Sequence, residues 1–185
     1  MPLVDIQQGK LAFTPDREKP TVSRATAAVI SVCVLAILGA GASPASADSL
    51  SRSLDVNGSP SEVWSAIGPF CAIKDWLPPV GSCTEDGKIP PTRTLVTKDG
   101  SATFVETQTA RSDERRTYSY TFKSSPLPVT RYDSTIEVTA KGPSQSTITW
   151  SSTYTPNEGK EKEAKDTLSD IYAAGLNAIK GRFAK

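Results

Sequence analysis

Between Val80 and Thr155 the chain alternates apolar and polar residues with a period of two, six times over. The segments are Val80–Glu85, Thr92–Lys98, Ala102–Arg111, Thr117–Ser124, Thr130–Ala140 and Ser146–Thr155. A period of two places alternate side chains on opposite faces of a strand, so each segment reads as a strand with one buried face. Asp86-Gly87, Asp99-Gly100, Ser112-Asp113-Glu114 and Lys141-Gly142-Pro143 separate them with turn-forming residues. Links this short cannot carry the crossovers that parallel strands need, so the segments form an antiparallel meander. Ser124-Ser125-Pro126-Leu127-Pro128 is a longer link whose two prolines stay out of the ladder.

Helices flank this sheet. Ser51 to Asn57 alternates with Leu54 and Val56 on one face, then turns at Asn57-Gly58. Ser59-Pro60-Ser61-Glu62 is a helix start, with Ser59 as cap, Pro60 at the first helical position and Glu62 closing a capping box. Val63, Trp64, Ile67 and Phe70 give that helix its buried face, and Gly68-Pro69 interrupts it. A second short element covers Cys71 to Trp76 and stops at Pro78-Pro79. From about Lys160 to Phe183, Ala164, Leu168, Ile171, Tyr172, Gly175, Leu176, Ile179 and Phe183 fall on one helical stripe. The fold class is α+β: one strand, two short helices, six strands and one long helix.

The chain opens with what reads as an address. Residues 1–24 are polar, the apolar run Ala25–Ala40 follows, and Ala45-Ser46-Ala47 closes it. Arg24, a run of 16 residues and an A-x-A triplet make the tripartite secretory pattern, with cleavage after Ala47. The run is short of the ~20 residues a spanning helix needs, although an uncleaved N-terminal membrane anchor is the competing reading. The expected organisation is therefore a signal peptide over 1–47 and one domain over 48–185, periplasmic or secreted. Removing 1–47 takes four basic and three acidic residues from totals of 21 and 20, leaving 17 of each. A neutral domain has no basic footprint for nucleic acid. The chain also lacks histidine, which excludes Ser-His-Asp and Cys-His nucleophiles, HExxH zinc helices and His₃ metal sites. Neither a metal nor a cofactor is expected.

The order of elements and several local runs together resemble the START-like (SRPBCC) superfamily of polyketide cyclase/dehydrase and lipid-transport proteins. The residues that carry the resemblance are Pro60-Ser61-Glu62-Val63-Trp64, Asp75-Trp76 before Pro78, and Arg93-Thr94-Leu95 before Asp99-Gly100. Glu106, Tyr118-Ser119-Tyr120, Pro126-Leu127-Pro128-Val129 with Tyr132, and Tyr172-x-x-Gly175-Leu176 continue it, over about Leu54 to Phe183. The resemblance implies a helix-grip fold, in which about seven strands curve around the C-terminal helix and leave a cavity. Two departures, Leu77 in place of a polar residue and Lys88–Pro91 in place of a glycine-rich approach, are expected at the cavity mouth.

Strand parity names the candidate lining. Ala102, Phe104, Glu106, Gln108 and Ala110 share one face, followed by Tyr118, Tyr120 and Phe122, then Tyr132, Ser134, Ile136 and Val138, then Ile148, Trp150, Ser152 and Tyr154. The ligand-binding candidates are Glu106, Phe104, Arg93, Tyr118, Tyr120, Tyr132, Trp150 and Tyr172. A carboxylate facing an apolar cavity must be paired or have its pKa raised, so Glu106 accepts a ligand hydroxyl, acts as a base or pairs with Arg93. Trp64 and Trp76 read as helix packing, with Trp76 near Pro78-Pro79 as an alternative entrance rim. Cys71 and Cys83, 12 positions apart, either bridge or remain two buried thiols, and export makes the bridge the expectation.

Three functions fit this reading. The first is an exported binding module for a small hydrophobic ligand. The second is a cyclase or aromatase with Glu106 as base and Tyr118 or Tyr120 as acid. The third is a periplasmic accessory protein that docks on a partner enzyme through Pro126–Val129 and the Trp76 rim. The binding module is the expectation, because it requires only the cavity.

Overall fold

A computed structural model describes residues 46–184. The apolar run expected as a leader, and Cys33 within it, lie outside the described residues. Strand β1 (Asp48–Val56) starts three residues earlier than the alternation from Ser51 suggests. Its partner supplies the reason: Asp48 to Leu50 pair with Tyr154 to Ser152, and backbone pairing needs no apolar side chain.

Helix α1 (Pro60–Ile67) has the expected capping box, with Ser59 N donating to Glu62 Oε2 at 2.8 Å. Val63, Trp64 and Ile67 are its buried side chains. A 3₁₀ turn (Phe70–Ala72) and α2 (Ile73–Trp76) follow, and α2 stops before Pro78. Strands β2 (Val80–Glu85), β3 (Thr92–Thr97), β4 (Thr103–Ser112), β5 (Thr117–Ser124), β6 (Val129–Gly142) and β7 (Gln145–Pro156) form the meander. The sheet order is β1-β7-β6-β5-β4-β3-β2, antiparallel throughout. It curves around α3 (Glu161–Arg182), which is the helix-grip arrangement. Ala164, Leu168, Tyr172, Gly175, Leu176 and Ile179 are the buried stripe of α3. No helix among the described residues is long and apolar enough to cross a membrane.

Gly175 sets how closely α3 approaches the sheet. A Cβ there would lie 2.9 Å from Trp150 Cζ3 and 3.1 Å from both Leu77 Cδ1 and Trp76 Cζ3. Trp76 is thus buried against Trp150 in an edge-to-face contact at 5.4 Å, and it forms no entrance rim.

Cys71 and Cys83 are joined by a disulfide, with Cα atoms 5.5 Å apart. It ties the 3₁₀ turn to β2, an edge strand of the sheet. Closing a loop of 12 residues restricts the unfolded chain by about 3 kcal/mol in the entropic account. A Cys71→Ser, Cys83→Ser double variant should lose stability of that order in urea unfolding, compared with oxidised wild type.

The β3–β4 turn is held by an acid. The Asp99 carboxylate accepts from Thr97 Oγ1 at 2.6 Å and from the Ser101 backbone N at 3.1 Å, and Gly100 takes φ +71°. The Thr97 hydroxyl, with the Ser101 backbone and hydroxyl groups, holds the Asp99 carboxyl at about 2, below its ordinary 3.8. A depressed folded value adds stability above the ordinary one, and that stability disappears as pH falls from about 4 towards 2. A carboxyl-carbon NMR titration should place the Asp99 midpoint near 2, and Thr97→Val should move it towards 3.8.

Candidate functional site

The inward face follows strand parity along β4 until a bulge breaks it. Phe104 is half-buried, and Glu106 and Gln108 are buried, but the register shifts between Gln108 and Ala110. Ala110 is consequently exposed, contrary to the alternation. Arg111 takes the position opposite Tyr118 instead. Its Nη1 donates to the Gly68 carbonyl at 2.7 Å, and its guanidinium lies 5.2 Å from the Trp64 ring. Asp113 completes this corner, accepting from Arg111 Nη2 at 2.5 Å and from Trp64 Nε1 at 2.9 Å. The Ser112-Asp113-Glu114 turn therefore contains one acid with a structural role.

Arg93 and Glu106 are opposite each other on β3 and β4. Arg93 is 0% exposed, and its Nε donates to Glu106 Oε2 at 2.6 Å. Nη1 donates to the Phe70 carbonyl of the 3₁₀ turn, and the guanidinium carbon sits 3.9 Å over the Phe70 ring. Burial pushes the Glu106 carboxyl up, and the Arg93 charge pulls against it. Burial alone would lower Arg93, yet the neighbouring Glu106 carboxylate keeps it above its ordinary value. Arginine does not lose its proton in a folded protein, so the buried guanidinium requires the ionised Glu106 beside it.

An aromatic network adjoins this pair. Tyr132 and Tyr172 share a hydrogen bond at 2.6 Å between their hydroxyls, and Ser134 Oγ lies 3.1 Å from Tyr172 Oη. Trp150 Nε1 donates to Ser134 Oγ at 3.0 Å and to Tyr120 Oη at 3.2 Å. Its ring stacks on Tyr172 at 4.1 Å, and Phe122 stacks on Tyr132 at 3.9 Å. Burial raises the Tyr120, Tyr132 and Tyr172 hydroxyls above their ordinary range, so they remain neutral.

Between this sheet face, α2 and α3 lies a pocket of about 210 Å³. Ile73, Leu77, Val80, Leu95, Tyr120, Trp150 and Leu168 form buried walls, with Glu106 and Tyr132 among them. Pro79, Thr97, Phe104, Phe122, Leu127 and Ile171 are the lining residues that are not buried, and they mark the mouth. Of the candidates named from sequence, Glu106, Phe104, Tyr120, Tyr132 and Trp150 line this pocket. Arg93 stands behind Glu106. Tyr118 lies one inward position beyond Tyr120, against Phe70 at 5.7 Å, and does not reach the pocket. Tyr172 is outside the lining as well, stacked on Trp150. Leu77 lines the pocket as a buried wall rather than at the mouth where it was expected, and Lys88–Pro91, exposed up to Pro90 and half-buried at Pro91, contributes no wall.

Sequence reasoning passed over Leu95, Leu168 and Ile171 as lining. Leu95 shares the parity of Arg93, and the other two lie on the α3 stripe, so the signal was present. An apolar residue on a core face does not announce which of its neighbours is missing.

The family model for polyketide cyclase / dehydrase and lipid transport matches residues 47–184. The chain belongs to that family. Solved structures agree with the assignment. The protein XoxI from Bacillus cereus is 35% identical over 73% of this chain and 94% of its own, with a TM-score of 0.69. An uncharacterised protein from Bacillus thuringiensis is 34% identical over 74% and 98%, with a TM-score of 0.70. An aromatase/cyclase from a Streptomyces species shares the fold at 15% identity, covering 74% of this chain and 93% of that one, with a TM-score of 0.62. A search of curated proteins finds no match. Within this polyketide cyclase/dehydrase and lipid-transport family, the pocket under α3 is the candidate site.

Proposed function

We propose that this protein is an exported carrier or sensor that holds one small hydrophobic ligand, lipid or polyketide-like, in the pocket between α3 and the sheet. The observation that carries the reading is a largely apolar pocket with a single carboxylate in its wall. Small-molecule sites have this composition, with hydrophobic lining and a few placed polar groups. Glu106 orients the ligand, Arg93 fixes Glu106, and Phe104, Tyr120, Tyr132 and Trp150 supply contact area.

Two observations favour binding over cyclase chemistry. Glu106 Oε2 is tied to Arg93, which holds the carboxylate in a fixed ion pair, and Tyr118 does not line the pocket. An accessory role on a partner enzyme, through Pro126–Val129, is the remaining reading, without the Trp76 rim that was to complete its surface.

Export is supported by position. The A-x-A triplet ends at Ala47 and β1 begins at Asp48, so cleavage there leaves every strand whole. The Cys71–Cys83 disulfide suits an oxidising compartment. N-terminal sequencing of protein recovered from the culture fluid or cell envelope should start at Asp48.

Native mass spectrometry of protein purified from its own cells tests the central reading. A retained small molecule at one per chain is expected, released by organic solvent. Protein that carries none, and whose melting temperature is unmoved by apolar aromatic compounds, would count against it.

A further inference from the structure

We infer that the pocket selects a compact neutral hydrogen-bond donor, an aromatic or alicyclic alcohol of about bicyclic size, and rejects carboxylates, fatty acids among them. The inference rests on the pocket being a ligand site and adds the ligand's chemistry. Size is the first argument. The volume is about 210 Å³, and an engineered apolar cavity of about 150 Å³ holds benzene. A two-ring molecule fits this space, and an extended acyl chain does not.

Hydrogen-bonding capacity is the second argument. The Tyr132 hydroxyl is engaged by Tyr172, whereas the Tyr120 oxygen accepts from Trp150 and keeps its O–H to donate to the oxygen of the same ligand hydroxyl. Glu106 Oε2 takes the Arg93 bond, while Oε1 has no hydrogen-bond partner among the described residues and is not occluded. The side chain keeps 5% of its surface accessible, and Glu106 lines the pocket. A carboxylate oxygen only accepts, so the matching ligand group must donate.

Charge is the third argument. An anionic ligand would meet Glu106 across an apolar space, where like charges are poorly screened. Arg93 does not answer it, because the residue stands behind Glu106 and does not line the pocket, although its buried Nη2 has no hydrogen-bond partner. A cation is drawn to Glu106, the nearer member of the pair, but Arg93 behind it offsets part of that attraction and the desolvation of the cation opposes entry. A neutral hydroxyl makes the charge-assisted bond without that cost.

The test titrates the full mature protein with naphthalene, 2-naphthol, 2-naphthoate and palmitate at pH 7, following Kd by calorimetry. In wild type, 2-naphthol should bind about tenfold or more tightly than naphthalene, the size of one hydrogen bond to a charged acceptor. Binding of 2-naphthoate and palmitate should be undetectable. Glu106→Gln inverts the pattern. Arg93 Nε needs an acceptor, so the Gln carbonyl turns to it and the amide N–H₂ faces the pocket beside an uncompensated guanidinium. The variant should then bind 2-naphthoate measurably, about tenfold or more tightly than the detection limit that wild type does not reach, with its fold checked by circular dichroism. The wild-type panel decides the question even if that variant does not fold. If naphthalene matches 2-naphthol, or 2-naphthoate binds wild type as well as 2-naphthol, the donor rule is overturned while the pocket reading stands. If none of the aromatic compounds binds, the pocket reading falls and the rule with it.

Discussion

Arg93→Met is expected to lower the unfolding free energy by about 3–5 kcal/mol, the usual cost of leaving one half of a buried ion pair unpartnered. Glu106 would remain in an apolar wall, with no guanidinium at 2.6 Å to offset its charge. The Phe70 carbonyl would lose its donor as well, loosening the 3₁₀ turn that the disulfide anchors to β2. Arg93→Met combined with Glu106→Leu removes both charges and should recover most of the loss. Urea unfolding of the two variants, compared with wild type, measures the coupling. If the double variant is as unstable as the single one, lost packing around Arg93 dominates and the ion pair is incidental. Such a result would also weaken the argument that Glu106 is held ionised towards the pocket.

Trp150→Ala should be the second severe change, at about 3–5 kcal/mol. The indole stacks on Tyr172, meets Trp76 edge-on, touches the backbone of α3 at Gly175 and donates to Ser134 and Tyr120. Its removal joins the space beneath α3 to the pocket, so bulkier ligands should enter as stability falls. Trp150→Phe keeps most of the ring contact and loses the N–H, and should cost only about 1–2 kcal/mol. The gap between the two variants in chemical denaturation separates packing from hydrogen bonding. Equal losses would mean that the bifurcated N–H bond to Ser134 and Tyr120, rather than the ring packing against α3, accounts for the contribution of Trp150.

The strands were legible because each couples a two-residue period to a link with glycine, aspartate or proline chemistry, and the capping box at Ser59 was legible because both its partners are local. The bulge after Gln108 was not, since Ala110-Arg111-Ser112 has no glycine or proline to mark an extra residue. It moved Ala110 out and brought Arg111 to Trp64. For the site, parity brought Glu106, Phe104, Tyr120, Tyr132 and Trp150 to the correct face. Parity does not say where along a face the packing stops. Tyr118 is on the same face and is closed off by Phe70, and Tyr172 is covered by Trp150. A pocket is a gap between elements distant in sequence, and no local pattern encodes a gap.

The pairing of β1 with β7 has a consequence in time. Val56 is opposite Ser146 and Asp48 opposite Tyr154, so the first strand can find its partner only after about ninety further residues exist. The strands from β2 to β7 meet neighbours adjacent in sequence and can assemble locally, while β1 depends on distant contacts that close slowly. On a chain that emerges from its N-terminus, the earliest strand made is the last one seated. Pulse-labelled hydrogen exchange during refolding should therefore show amides of β5 and β6 protected before those of Leu50 to Leu54.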